Sequence, residues 1–230
     1  MDTQIVECAT SLARAELYAI LARVLAGPAQ CLETALYRDF GRIAAESGTY
    51  GPLKDEAAAL ESLARDLSKD PRRVAQEYTS LFDKTKAPPY ETSYIPSVRV
   101  TQELADISAF FRAFGLRPRG ERPDHIVSEL EWMSVVCLKE SIAAGNDKVE
   151  EAAICRQAQA KFLQDHLGRW LRIYRSLLEG EATIPLYPRL AGLAHALVRI
   201  DARDLGLELE EITEVARSGD PDVPRCGTTR

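Results

Sequence analysis

The sequence predicts an all-α fold, a bundle-like single domain of about nine to ten helices, and two patterns carry that prediction. Apolar side chains recur at three- and four-residue spacing along almost the whole chain, and no stretch alternates with the period of two that a half-buried strand requires. Glycine, proline and short polar residues fall between the periodic segments, where helices start and stop.

The first helix is predicted over Ile5 to Leu25, with Ile5, Cys8, Ala9, Leu12, Leu17, Leu21 and Val24 as its buried stripe. Gly27-Pro28 ends it and begins a second, which runs to about Ala45 and buries Leu32, Leu36, Phe40 and Ile43. Ser47 to Pro52 is a loop by composition. A third helix carries Leu53, Ala57, Leu60, Ala64 and Leu67, and Asp70-Pro71 supplies the cap and first residue of a fourth, which holds Val74, Tyr78, Leu81 and Phe82.

Asp83 to Val98 breaks the periodicity with three prolines, yet keeps Tyr90, Tyr94 and Ile95. A loop with that much apolar surface is expected to pack against the protein. A fifth helix, capped by Thr101, presents Leu104, Ile107, Phe110, Phe111 and Phe114 until Gly115 stops it. Asp124 is read as the cap of the next, with Ile126, Val127, Leu130 and Met133 buried and His125, Glu129 and Glu131 near an exposed end. Asp147 caps a further helix, and the apolar pattern continues through Phe162, His166, Trp170 and Leu178 to Gly180. Pro185 and Pro188 bracket a turn before the last long helix, Leu190 to Ile200. A short acidic amphipathic piece spans Leu207 to Ala216. Residues 1–217 thus read as one domain, with 116–123 as its hinge and 218–230 as a disordered tail.

Composition narrows the function. A chain of 230 residues can bury about 70% of its unfolded surface and needs no disulfide or cofactor to fold. Its five cysteines are scattered and form no Cys-x-x-Cys pair, so they read as reduced thiols of a cytoplasmic protein. The first residues have no basic stretch before an apolar one, so no secretory signal is expected, and the longest apolar run is far below a membrane span of about 20 residues. A net charge of −6 disfavours nucleic acid as a partner and suits a basic peptide.

No phosphate-binding glycine loop, nucleophile elbow or recognisable Ser/His/Asp arrangement is present, so no enzymatic activity and no catalytic residue are assigned. His125 and Glu129 lie four apart on one helical face, but two ligands do not make a metal site, and neither metal nor cofactor is assigned. Tyr78-x-x-Leu81-Phe82 and the pair His166 and Trp170 read by themselves as core.

The densest chemistry is Glu121-Arg122-Pro123-Asp124-His125-Ile126-Val127-Ser128-Glu129-Leu130, followed by Trp132-Met133. This segment resembles the signature of the TorD/DmsD/NarJ-type chaperones, which mature molybdenum-containing redox enzymes. Tyr78-x-x-Leu81-Phe82 ahead of a proline loop, Gly115-Leu116, and Phe162-Leu163-x-x-His166-Leu167-x-x-Trp170 are similar to further family features in the same order, and Arg14-x-x-x-Tyr18-x-x-Leu21 is a weaker one.

The resemblance implies a TorD-like helical fold and a cytoplasmic, system-specific chaperone. Its partner would be the apo catalytic subunit of a molybdopterin oxidoreductase, its N-terminal twin-arginine signal peptide, or both. The client-binding residues it points to are Tyr78, Leu81, Phe82, Tyr90, Glu121, Pro123, Asp124, His125, Glu129, Trp132, His166 and Trp170. A carboxylate rim of Glu121, Asp124, Glu129 and Glu131 over an apolar floor would complement two arginines beside an apolar stretch. Two other classes stay open: a helical adaptor for a folded partner, and a metal-dependent hydrolase built on His125, Glu129 and His166. The client, the oligomeric state, including a homodimer, and any nucleotide ligand are not legible.

Overall fold

The computed structural model describes residues 3–95, 99–118 and 120–214, with side chains from residue 6. Nine α-helices follow one another: α1 (Thr3–Leu25), α2 (Thr34–Ser47), α3 (Lys54–Leu67), α4 (Pro71–Tyr78), α5 (Val100–Ala113), α6 (Ile126–Gly145), α7 (Val149–Phe162), α8 (Gly168–Glu181) and α9 (Leu186–Asp204). A π-helical turn, Leu163–Leu167, joins α7 to α8 without a break, so the described residues form eight separate helical rods, slightly fewer than the nine to ten expected. No strand occurs among the described residues.

Helices α1 and α6 share the most extensive interface and form the axis of the bundle. Helix α7 packs on α6, the α2–α3 hairpin packs on α1 and α9, and the α8–α9 hairpin closes the far side. The core is continuous, running from Leu17, Tyr18 and Leu21 of α1 through Leu130 and Met133 of α6 to Trp170 and Tyr174 of α8 and Leu190 and Leu197 of α9.

A buried polar network crosses this core. Arg14 on α1 is fully buried and directs Nε to Asp201 Oδ2 on α9 at 3.0 Å and Nη2 to Gln159 Oε1 on α7 at 2.6 Å. Tyr18 and Tyr50 both donate to Asp201, and Gln159 Nε2 donates to Glu140 on α6 at 2.6 Å. At the other end of the molecule the Glu77 carboxylate accepts from the backbone amides of Thr183 and Ile184 and from the Thr183 hydroxyl, fixing the α8–α9 turn to α4.

Several helix starts differ from expectation. Pro28 does not open α2: a single 3₁₀ turn, Gln30–Leu32, intervenes, with Cys31 turned inward and its carbonyl accepting from Tyr37 at 2.6 Å. Thr101 lies inside α5 and makes no cap. Asp147 adopts a left-handed φ of 59°, and the cap position of α7 passes to Lys148. Pro188 falls within the first turn of α9, where its missing N–H costs nothing, so that helix begins earlier, at Leu186. Asp70 does accept from Arg73 N, and Gly115, at φ 70°, does end α5.

Leu207 to Thr213 forms no helix. It lies along α8 and α9 as a strap, with Ile212 N donating to Arg169 O at 2.7 Å and Glu211 meeting His195 at 2.5 Å and Arg172 at 3.6 Å. The π turn explains Gly168 at the start of α8, where a Cβ would stand 2.3 Å from Leu163 O, and the strap adds Leu209 Cδ2 at 2.8 Å. The expected disordered tail lies outside the described residues.

Cys31, Cys137 and Cys155 are buried, Cys8 is half-buried, and all four are free thiols; Cys226 lies outside the described residues. Among the described residues no helix is long and apolar enough to cross a membrane.

Candidate functional site

The proline-rich loop is ordered by the segment that precedes α6. Ile126 N donates to Pro89 O and Glu91 N donates to Asp124 O, both at 2.9 Å, so Tyr90 and His125 face each other as an isolated antiparallel bridge. Tyr90 stays half-buried at the surface, with its ring 5.0 Å from the His125 ring and the Arg122 guanidinium 4.8 Å above it. Tyr94 turns inward, stacks on Trp170 at 5.5 Å and donates to Pro88 O at 2.7 Å.

The same bridge decides how α6 begins. Asp124 is not its cap and the helix starts two residues later, because the Asp124 side chain is drawn into the interior. There Oδ2 accepts from Thr92 Oγ1 at 2.6 Å and Arg122 Nη2 at 2.8 Å. His125, in extended backbone geometry, becomes the cap, and its Nδ1 accepts from Val127 N at 3.2 Å. An accepting Nδ1 must be unprotonated, and burial, against the pull of Glu121 and Asp124, holds the ring pKa below its ordinary value. His125 and Glu129 are buried rather than lying at an exposed helix end; Glu131 is exposed.

Glu129 lies one turn into α6, fully buried, and accepts from Trp170 Nε1 at 3.1 Å. Burial first, and the neighbouring Glu91 second, push its pKa well above the usual carboxylate value. Glu91 is raised too, chiefly by burial, although His166 opposes this. His166 lies on the π turn with Nδ1 3.2 Å from Glu91 Oε2 and Nε2 3.3 Å from Asp106 Oδ2. Burial disfavours its charged form, but Glu91, Asp106 and Glu103 outweigh burial and the net direction is upward.

These shifts set a sign for pH dependence. Both Glu129 and His166 hold protons more tightly in the folded state, so their contributions are full below their unfolded values, near 4.5 and 6.5, and are lost as pH rises through the folded ones. Glu129→Gln keeps an acceptor for Trp170 and removes the carboxylate's titration. Its stability relative to the native chain should therefore rise steadily between pH 5 and pH 8, measured by urea unfolding across that range. A gap independent of pH would mean that Glu129 titrates normally.

The candidate client-binding residues divide into two layers. Tyr78, Phe82, Tyr90 and Pro123 are half-buried and Glu121 is exposed, and together they make an outer aromatic face. The Tyr78 ring lies 4.8 Å from Phe82, which in turn meets Tyr187 at 5.2 Å. Tyr90 Oη donates to Glu121 Oε2 at 3.4 Å. Burial first, then Glu121, raises the hydroxyl pKa of both Tyr78 and Tyr90, which places that carboxylate beside both rings.

Leu81, Asp124, His125, Glu129, Trp132, His166 and Trp170 are buried behind this face. The carboxylate rim is thus not continuous: Asp124 and Glu129 are interior, while Glu131 lines a separate apolar groove of about 570 Å³ with Ala19, Ala22, Leu116 and Trp132. Trp132 belongs to an aromatic box with Phe110, Phe114 and Phe162, not to the outer face. His125, Glu129 and His166 do not gather as a ligand set; His166 instead joins Glu91 and Glu103, which the sequence did not single out. Thr92 and Arg122, which hold Asp124, were missed as well: nothing in a periodicity marks a polar partner supplied, like Thr92, from thirty residues away, or shows that the neighbouring Arg122 turns to the buried carboxylate.

Comparison with known proteins covers this same region. A family profile described as the nitrate reductase delta subunit matches residues 51–174, from the start of α3 to Tyr174 in α8. The chain is 33% identical over 116 residues to the selenate reductase assembly chaperone protein of Thauera selenatis, an alignment that covers 50% of this chain and 58% of that one. It is 34% identical over 84 residues to the chlorate reductase assembly chaperone protein of Ideonella dechloratans, covering 36% and 42% respectively. The chain therefore spans about half the length of the curated relatives it matches. The profile takes in more than half of the sequence, including the proline loop, the signature and the π turn that build the site, and the chain belongs to the nitrate reductase delta subunit family, the TorD/DmsD/NarJ type that its signature resembles.

Proposed function

We propose that this chain is a system-specific assembly chaperone that binds the cofactor-free catalytic subunit of a molybdenum-containing oxidoreductase in the cytoplasm and holds it until its cofactor is inserted. The observation that carries this reading is family membership, joined by two relatives named as assembly chaperones for reductases. The reading assigns no reaction to the chain itself. Copurification tests it: the apo catalytic subunit should be retained by the chain, and the mature holoenzyme should not. Equal retention of both would favour an adaptor for a folded partner.

The outer face is the proposed contact for a client segment, including an N-terminal peptide with two arginines beside an apolar stretch. Tyr78, Phe82 and Tyr90 offer rings for stacking or apolar contact, and Glu121 offers a carboxylate to a guanidinium. The buried signature residues act behind that face: Asp124 and His125 set the loop and helix start that position Tyr90, and Glu129, His166 and Trp170 hold the loop's inner side. Leu81 and Trp132 support it as core.

A synthetic peptide of that composition, titrated into the native chain, Glu121→Gln and Tyr78→Ala, measures the contact. Loss of a charge-assisted bond is worth about 1.5–3 kcal/mol, so Glu121→Gln should weaken binding roughly ten- to hundredfold with little change in melting temperature. Unchanged affinity in both variants would remove this face as the peptide site while leaving the chaperone reading to the copurification result.

A further inference from the structure

Helix α5 reaches the bundle beside the π turn, and its acidic face meets His166. Glu103 Oε2 lies 3.8 Å from His166 Nδ1, and Glu91 Oε2 lies 3.2 Å from the same nitrogen. One ligand atom from each of the three residues falls within 4.8 Å of the others. Ligands sharing one first-row divalent ion at about 2.0–2.2 Å stand roughly 3–3.6 Å apart, so this spacing needs only small side-chain adjustment. We propose that Glu91, Glu103 and His166 form a binding site for a divalent transition ion of the zinc type, with Asp106 as the carboxylate that orients His166.

Three observations point to a ligand rather than to a chance gathering of acids. First, His166 and Glu91 are both 0% exposed, yet Glu91 Oε2 and His166 Nε2 have no hydrogen-bond partner, although buried polar atoms ordinarily find one. Asp106 Oδ2 stands 3.3 Å from Nε2 without hydrogen-bond geometry, close enough to accept a hydrogen bond from Nε2–H with a slight turn and leave the Nδ1 lone pair facing Glu91 and Glu103. That carboxylate–histidine–ion arrangement fixes tautomer and ring direction in metal sites.

Second, the charges call for a cation. Glu91, Glu103 and Asp106 surround the imidazole, and a counter-charge, Arg169 Nη1, lies 3.7 Å from Glu103 Oε1 and leaves Oε2 turned to His166. Among the described residues, the only cation that Glu91 and Glu103 meet besides His166 is the Arg169 guanidinium, while Asp106 is also near Lys161, and that excess of carboxylates suits a cation. An imidazole among the ligands favours zinc-like ions over calcium or magnesium, which prefer all-oxygen shells.

Third, the site has an entrance. Glu103 and Asp106 line an open groove of about 860 Å³ together with Arg99, Gln102, Gln164 and Arg169, a route from solvent to the buried Glu91 and His166 beside them. Once bound, the ion would tie α5, the proline loop and the π turn to one centre, clamping α5 against the bundle.

The alternative occupant is a proton, since an imidazolium would satisfy the same carboxylates. Zinc titration of chelator-treated full-length protein, read by calorimetry and by the metal content of the washed protein, separates the two. One equivalent should bind at pH 7.5, more weakly as pH falls and protons compete for His166. Glu103→Gln and His166→Gln should each weaken binding at least tenfold, and Asp106→Asn by about ten- to hundredfold, the usual cost of losing an orienting carboxylate. Glu103 is half-buried, so its variant is expected to remain folded, which melting curves verify; the exposed Glu150→Gln serves as control. No zinc bound by the native chain, or equal zinc bound by native, Glu103→Gln and His166→Gln proteins, would overturn the site.

Discussion

Replacing Arg14 by methionine is expected to cost the fold about 3–5 kcal/mol, the range for breaking a buried ion pair by removing one partner. The guanidinium is fully buried and is the central cation for two carboxylates: Asp201 at 3.0 Å and Glu140 at 3.5 Å. Methionine keeps much of the volume, so packing is not the issue. What remains is Asp201 with only the Tyr18 and Tyr50 hydroxyls as donors and Glu140 with Gln159 and a more distant, half-exposed Arg156 at 3.6 Å.

Because those groups come from α1, the α2–α3 connection, α6, α7 and α9, the loss should appear as reduced cooperative stability of the whole bundle rather than as local fraying. Urea unfolding should show a lower midpoint with an unchanged slope. The double variant Arg14→Met/Asp201→Asn should recover part of the loss, since it removes the stranded charge along with its partner. A single-variant cost below about 1 kcal/mol would mean that Asp201 and Glu140 find solvent or another cation.

Trp170→Ala should be comparably damaging, at about 3–5 kcal/mol, and its effect should extend to the loop. The indole stacks on Tyr94, packs on Tyr174 at 5.2 Å and donates to Glu129, so its removal opens a cavity and leaves a buried carboxyl without its donor. Tyr94 loses the surface that holds the loop inward. Limited proteolysis should therefore cleave between Lys84 and Tyr94 in Trp170→Ala well before it does so in the native chain. Trp170→Phe separates the two contributions: it retains a ring for Tyr94 but not the N–H, and should cost only about 1–3 kcal/mol while the loop stays protected. Equal proteolysis in all three proteins would show that the bridge between Tyr90 and His125 is enough to hold the loop.

Helical class, helix order and most apolar contacts follow from spacing, because burial of one helical face depends on residues three and four apart and needs no knowledge of the partner helix. Helix starts are less legible. Asp124, Asp147 and Thr101 are all good cap residues by type, yet none caps its helix. For Asp124 the reason is visible: Pro89 takes the Ile126 amide and Thr92, helped by the adjacent Arg122, takes the carboxylate, so a loop thirty residues away outcompetes the local turn.

The site shows the same division. Tyr78, Phe82, Tyr90 and Glu121 came forward as candidates through the family resemblance, the first two reading as core by themselves, and the structure leaves all four at least partly exposed. Burial of Glu129 beside Glu91, the approach of Glu103 and Asp106 to His166, and the role of Arg14 as a five-segment junction were not legible. By itself the sequence determined an all-helical chain, most of its core stripes, though not Ala9 and Leu12, which are exposed, and the family signature, since each depends on residues close in the chain. Only the tertiary structure decided which carboxylates lie inside and which face solvent, because desolvation and charge pairing depend on groups up to 187 residues apart that meet only once the helices pack.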